Sequence, residues 1–327
     1  MRGTALRVFR LISVGVVCMH LVAFDAVAQT YPDQPIRVLV GYTAGGATDF
    51  TARAVAQRLS ELLGQQVIVV NVPGASGSIA TARLATSPPD GYTLSFITGA
   101  DTIQVGLRAK LPYDLERDTA PVSLIVTGAY VLVVHPSVPA RNVQELIALA
   151  RSQPRKLSYG SAGIGNSSHL AGELFNLLAK VSTVHVPYKG ASESVVATAS
   201  GEVDMSYPSV SASLPLLKAG RLRALAVTST KRASLLPSVP TLDEAGLHGY
   251  ESSTWYGVSA PAGVSKDIVT RLNGAIARVV NTPAMKDAFA KQGLEPRTSS
   301  PGEFGALIHS EIAKNVRLIR QAAVKIE

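Results

Sequence analysis

Three short stretches of this sequence combine glycine with hydroxyl side chains: "YTAGGATD" at 42–49, "PGASGS" at 73–78 and "SAGIGNSS" at 161–168. Each follows an apolar run and precedes a helical pattern. The first turn of a helix presents unpaired backbone N–H groups and a partial positive charge. Glycine lets an anion approach that backbone and allows the positive φ values that aim successive N–H groups inward. Thr43, Ala44, Gly45, Gly46, Thr48 and Asp49 therefore form a candidate cradle for a phosphate or a carboxylate. The two threonines would add hydroxyl donors. Asp49 would cap the helix or accept from a donor group of the ligand. No lysine follows the glycines, so the P-loop pattern is absent. A Gly-Gly pair before a helix is also ordinary turn chemistry, and the functional reading rests on the recurrence of three such turns.

Ala75, Ser76, Gly77 and Ser78 in the second turn are the matching candidates, with Ser161, Ala162, Gly163, Gly165 and Asn166 in the third. His169 sits in the first turns of the helix that follows, where it reaches a cleft or occupies a core or solvent position. Lys189, in "VPYKG", could meet a carboxylate or be a solvated turn lysine. Asp204, in "GEVDMSY", could accept from an amino or hydroxyl group or be a turn residue at a strand start. Tyr188 and Tyr207 are amphipathic candidates for cleft walls, and Trp255 reads as core or hinge. Catalytic patterns fail. Neither "GASG" nor "GSAG" has the nucleophile-elbow spacing G-x-S-x-G, and "GIGNSS" lacks the third glycine of a dinucleotide turn. The six histidines show no metal spacing such as H-x-x-x-H. No cofactor is implied.

The elements that must position these turns alternate. Strand patterns at 36–40, 66–70 and 93–97 are separated by helical patterns from Asp49 and from Ser78. Val55, Leu59, Leu62 and Leu63 fall on one helix face. Strands follow at 122–126 and 130–134, then a helix opened by Asn142 with Glu145 three residues on. A second series runs strand 157–160, helix over Leu170–Leu178, strand 183–187, helix 191–200, strand 203–207, helix 209–219 and strand 222–227. One more strand at 255–260 precedes helices at 268–280, 284–291 and from 301. The alternation predicts two α/β units, each a mostly parallel sheet flanked by helices, with the turns at the carboxyl ends of the strands, where ligands of open sheets bind. The last helices have no strand of their own and are expected to pack back on the first unit.

Arg2, Arg7 and Arg10, an apolar run over 11–24 and the small-x-small site Ala26-Val27-Ala28 read as a secretory signal peptide, 1–28. The run is short for a membrane anchor, and Val16-Val17 before Cys18 argue against a lipoprotein start. Cys18 is the only cysteine, so residues 29–327 can form no disulfide and offer no thiolate. That length exceeds what one core usually serves, and two domains are expected. The net charge of +8 falls by two without the signal, which suits an anionic small ligand. There are no basic clusters with interleaved aromatics, so nucleic acid is not expected.

In order, "YPDQPIRVLVGYTAGGATD", "VNVPGASGS", "PPDGYTL", "LSYGSAGIGNSSHLAGELF", "VPYKG", "GEVDMSY", "GRLRALAVTSTKRASLLPSVPTLDEAG" and "STWYGVSAPAGVSKDIVTRLN" resemble the substrate-binding proteins of tripartite tricarboxylate transporters, the Bug family of periplasmic receptors. The resemblance covers essentially all of 29–327. It implies a two-lobed Venus flytrap working as a monomer in the periplasm, with lobe one at 29–128 plus 255–327 and lobe two at 129–254. It also implies a carboxylate ligand, a membrane permease partner and no catalysis. The family's two lobe-one loops hold the proximal carboxylate through backbone amides and ordered water, which places it here at 43–49 and 73–78. Lobe two would contribute 161–167, Tyr188-Lys189-Gly190 and Asp204. This chain departs from the family in having Thr43-Ala44 where prolines are usual and Ser76 where glycine is common, so no particular ligand carries over. A sensor input to a signalling receptor is the alternative, and an exported hydrolase a remote one.

Overall fold

Two sheets divide the strands of this chain. In a computed structural model that describes residues 31–108 and 110–324, one sheet has six strands and the other five. The signal-like segment 1–28 lies outside the described residues. The first sheet begins with β1 (Ile36–Val40), whose β-branched and leucine side chains are buried except at Arg37. The helix α1 (Ala47–Leu63) follows and ends where Gly64 takes the left-handed conformation, which only glycine adopts without a Cβ clash. Then come β2 (Val67–Asn71), a tight helical turn at Ala75–Gly77, α2 (Ser78–Ala85) and β3 (Thr93–Thr98). β1 pairs in parallel with both β2 and β3, as two strand–helix–strand crossovers require.

After β3 the chain forms α3 (Gly99–Leu107), then the long β4 (Thr119–Ala129), β5 (Val131–Val134) and α4 (Val143–Ser152). The second sheet continues with β6 (Ser158–Ser161), α5 (Ser167–Ala179), β7 (Val184–Pro187), α6 (Ala191–Ser200), β8 (Met205–Ser206), α7 (Val210–Lys218) and β9 (Arg223–Val227). β6 is parallel to β7 and β8, whereas β5 runs antiparallel to β8 and β9. The return strand β10 (Ser253–Pro261) is antiparallel to β3 and β4. It is followed by α8 (Lys266–Val280), α9 (Pro283–Lys291), the short β11 (Leu294–Pro296) and α10 (Pro301–Gln321).

The first sheet, in the order β11-β4-β10-β3-β1-β2, has two parallel and three antiparallel pairings, and the second, in the order β7-β6-β8-β5-β9, has two of each, so both are mixed rather than mostly parallel. The parallel pairings are the strand–helix units read from sequence. The antiparallel pairings arise because β4, β5, β9 and β10 carry the chain out of one lobe and back. The crossing is zipped at one point. Thr228 Oγ1 accepts from the Tyr130 N–H, the Thr228 N–H donates to Tyr130 O, and the Ser252 N–H donates to Thr228 O.

The lobe-one core gathers Leu39, Ile97, Leu124, Trp255 and Phe304. Phe304, from α10, meets Trp255 edge-on with ring centroids 5.7 Å apart. It reaches so close to β10 that a Cβ on Gly257 would stand 2.2 Å from its ring. The final helices thus pack on lobe one. The lobe-two core centres on Leu132, Leu146, Tyr159, Phe175 and Tyr250. A third apolar cluster joins the lobes beside the crossing, with Ile103 of α3, Leu318 and Ile319 of α10 and Leu170 of α5. α3 and β11 have no counterpart in the sequence reading. The first starts directly after β3, with Thr98 as its cap, and the second is three residues long.

Candidate functional site

The first two turns of lobe one touch. A Cβ on Gly41, just past β1, would lie 2.5 Å from Gly77 Cα, so two glycine backbones meet where no side chain fits. The second turn runs through four consecutive residues of positive φ, Gly74, Ala75, Ser76 and Gly77. Ala75 and Ser76 hold this conformation against the usual steric cost for residues with a Cβ. Tyr42 bolts the pair together: its hydroxyl donates to Ser76 O at 3.2 Å and lies 3.1 Å from Thr98 Oγ1.

Asp49 is 4% exposed and braces the first turn from below. Its carboxylate accepts from Gly45 N–H at 3.0 Å, Arg53 Nε at 3.0 Å and Asn71 Nδ2 at 2.8 Å. Burial alone would raise its pKa; Arg53, the Gly45 N–H and Asn71 outweigh burial and hold the carboxyl below its ordinary range. Asp49 is thus an anchor of the turn, and its acceptor capacity is already spent. Above it, α1 starts at Gly46 with no side chain capping its first N–H groups. The contrast with α4, α8, α9 and α10 is direct, because Asn142, Ser265, Thr282 and Ser300 cap those helices.

In lobe two, β6 ends at Ser161 and feeds a turn whose bonds are mostly internal. Ser168 Oγ accepts from Ala162 N–H at 3.0 Å, and Asn166 caps α5 through Ser168 N–H at 3.1 Å. One bond crosses from lobe one, Gln104 Nε2 to Gly165 O at 3.2 Å. The helix α6 opens at Gly190, again with no side-chain cap.

Between the lobes lies a cleft of about 680 Å³. Of the residues singled out from sequence, Thr43, Ala44, Gly45, Gly46, Thr48, Ser76, Ala162, Asn166 and Lys189 line it. Ala75, Gly77, Ser78, Gly163 and Gly165 shape the same turns without lining it. Four candidates are placed elsewhere. Asp204 stands at the start of β6, the end remote from the cleft, where it accepts from Ser158 N–H at 2.7 Å and Ser158 Oγ at 2.9 Å. It is the strand-start residue of the alternative reading, because β8 runs parallel to β6 and Asp204 precedes it. Tyr188 turns its hydroxyl away, onto Glu202 at 2.8 Å.

His169 and Ser161 lie behind the third turn rather than in front of it. His169 Nδ1 accepts from Gly165 N–H at 3.2 Å, and its ring stacks on His185 with centroids 3.9 Å apart. Burial pushes His169 down to about 3, helped by His185, and burial pushes His185 down to about 4. Both rings are therefore neutral at ordinary pH. Ser161 Oγ is 2.6 Å from His185 Nε2, a distance suited to a nucleophile and its base. Yet Ser161 is 0% exposed and is not on the cleft wall, so the pair serves the turn.

The cleft also uses residues that sequence reasoning did not single out. Tyr42, Thr98, Tyr130, Thr254 and Tyr256 line its inner wall beside Tyr207, which the sequence did offer as a cleft wall. These side chains sit at the ends of β1, β3, β4 and β10, and only the pairing of those strands brings them together. Glu193 joins Lys189 at the lobe-two rim and accepts the Lys189 N–H at 3.1 Å. The resulting site is rich in hydroxyls and backbone N–H, with few charges. Such a set holds an anion by hydrogen bonds and helix termini. Among the described residues no group of histidines, cysteines or acids is arranged to hold a metal ion, and no helix is long and apolar enough to cross a membrane.

Residues 51–324 match the profile of the tripartite tricarboxylate transporter family receptor. The chain is 34% identical to protein BugT of Bordetella pertussis over 308 residues, 94% of each chain. Among solved structures, R. palustris Rpa4515 with adipate superposes with a TM-score of 0.82 at 36% identity, covering 90% of this chain and 99% of that one. MatC from Rhodopseudomonas palustris with bound malate superposes at 0.79 and 29% identity, covering 88% and 100%.

Proposed function

The chain belongs to the tripartite tricarboxylate transporter receptor family, and from that premise we propose that it captures a small organic carboxylate between its lobes and delivers it to a membrane permease. The observation that carries this reading is the uncapped start of α1 at Gly46, open to the same cleft that Gly74 and Ser76 of the second glycine turn line. One carboxylate of the ligand accepts from the first-turn N–H groups of α1 and from the 73–78 turn. Thr43, Thr48 and Ser76 add hydroxyls. Ala162, Asn166 and Lys189 close over the other end of the ligand. Relatives of similar fold hold adipate and malate, which fits a mono- or dicarboxylic acid here.

The ligand undergoes no chemistry. It touches both lobes, so it favours the closed arrangement over the open one by its differential contacts. The moving bodies are 29–128 with 255–327 and 129–254. The receptor works as a monomer in the periplasm after loss of 1–28, and the permease reads the closed form.

A thermal-shift screen of refolded, ligand-free protein against carboxylic acids and their amides tests this. An acid at 100 times its Kd stabilises the fold by about 2.7 kcal/mol. A shift with a few acids and none with the matching amides is expected; equal shifts with acid and amide contradict the carboxylate cradle.

A further inference from the structure

Behind the lobe-one wall stands an acid that the cradle does not use. Asp101, in the first turn of α3, is 1% exposed. Its carboxylate accepts from Thr81 Oγ1 at 2.7 Å, Thr98 N–H at 2.8 Å and Thr98 Oγ1 at 3.0 Å. All of these donors are neutral. The titratable groups that face it are two phenols, Tyr42 at the end of β1 and Tyr113 in the loop after α3. Arg108 stands at the far end of α3, where its Nε donates to Gln104 Oε1 at 2.8 Å. The Tyr113 hydroxyl and Ser78 Oγ are buried without hydrogen-bond partners.

This acid is close to the proposed ligand. A Cβ on Gly77 would stand 3.3 Å from Asp101 Oδ1. Thr98 touches Asp101 on one side and the cleft on the other, so one side chain separates the two. In such a wall, two negative charges repel far more than they would in water. The hydroxyl donors matter here. Thr81 and Thr98 can rotate to donate to a carboxylate or to accept from a carboxylic acid, whereas an arginine partner would lock the charge in place.

We propose that Asp101 tunes ligand capture through its charge: a carboxylate settling in the lobe-one turns drives Asp101 to take up a proton, so capture is proton-coupled. The proton comes from solvent and adds to one Asp101 oxygen, and no bond of the ligand changes. Burial raises the Asp101 carboxyl above its ordinary range against the pull of its hydrogen bonds, and an incoming anion raises it further. His169 and His185, held near 3 and 4, do not titrate in the range where this matters. The inference rests on the carboxylate reading of the cleft.

Titration calorimetry with adipate, succinate, malate and benzoate, in MOPS and in imidazole, two buffers of different ionisation heat, between pH 8 and pH 6.5, decides it. The wild type is expected to take up a fraction of a proton on binding, seen as a buffer-dependent heat, with affinity rising several-fold toward pH 6.5. Asp101→Asn removes the charge at nearly constant volume. It is expected to bind several-fold more tightly at pH 8, with flat pH dependence and no buffer effect. Wild-type binding without a buffer-dependent heat overturns the inference alone, and this holds even if the variant does not fold. Proton uptake that persists in folded Asp101→Asn also overturns it. Binding of no acid by refolded wild type overturns both the carboxylate reading and this inference.

Discussion

Gly46 shows how a single residue type divides structure from function. Its φ of −82° and ψ of 171° suit serine or aspartate as well as glycine, and a Cβ there would meet nothing within 4 Å. Serine and aspartate are better caps than glycine by a few tenths of a kcal/mol. The sequence keeps glycine, and the N–H groups stay available. Gly46→Asp is therefore expected to leave the melting temperature unchanged or slightly raised while abolishing carboxylate binding, because its own carboxylate takes the ligand's place. Calorimetry beside a melting curve checks both halves; retained affinity in the folded variant sinks the cradle.

At the same scale, His169 and His185 give a pH prediction with a definite sign. Their folded values, about 3 and about 4, lie below the ordinary histidine value of 6.5. The unfolded chain therefore binds protons that the folded one refuses as pH falls. Their contribution is fully present above about pH 6.5 and is lost progressively as pH falls toward 4. The melting temperature is expected to drop through this window, and to drop less steeply in His185→Gln, which removes one of the two titrating rings. Identical slopes for the two proteins would assign the acid sensitivity to other groups.

The elements carry the precision of the site. The two lobe-one turns are a unit because Gly41 meets Gly77 and Tyr42 ties Ser76 to Thr98. Gly41→Ala forces a methyl group against backbone rather than against a movable side chain. A cost of about 1–3 kcal/mol is expected, together with a loss of carboxylate affinity larger than for an equally destabilising change in the lobe-two core. The affinity of folded Gly41→Ala decides this.

Much of this layer was legible in the sequence. The run IRVLV, the helix after Asp49, the stop at Gly64 and the alternation through β9 all follow from side-chain period and glycine placement. What could not be read was the direction in which a strand-end residue faces the ligand. Asp204 and Ser161 flank strands that lie side by side, yet Asp204 falls at the far end of the sheet. Local pattern is the same at either end of a short strand, and only the parallel pairing of β6 with β8 separates them. Apart from Tyr207, a cleft-wall candidate from sequence, the tyrosine-lined inner wall was hidden for a related reason: Tyr42, Tyr130 and Tyr256 come from three separate segments. His169 stayed open between a cleft wall and a core position, since helix phase alone does not tell a cleft wall from the packing behind it.

At the scale of the whole molecule, the lobes are joined by more than two strands. Tyr130, Thr228 and Ser252 bond where the chain crosses. Beside them, Ile103, Leu318 and Ile319 of lobe one meet Leu170 of lobe two. A cleft bounded in this way has a fixed side and a free side, and the glycine turns face each other across it. The central claim is that the turn at 43–49 holds a carboxylate of the ligand, with Gly46 as the contact point. A crystal structure of refolded protein with the tightest-binding acid of the screen tests that most directly. The account predicts a carboxylate group within hydrogen-bond distance of the first-turn N–H groups of α1 and of the 73–78 turn, with the rest of the acid reaching toward Asn166 and Lys189. A ligand whose carboxylate lies elsewhere, with water alone at the start of α1, would contradict it.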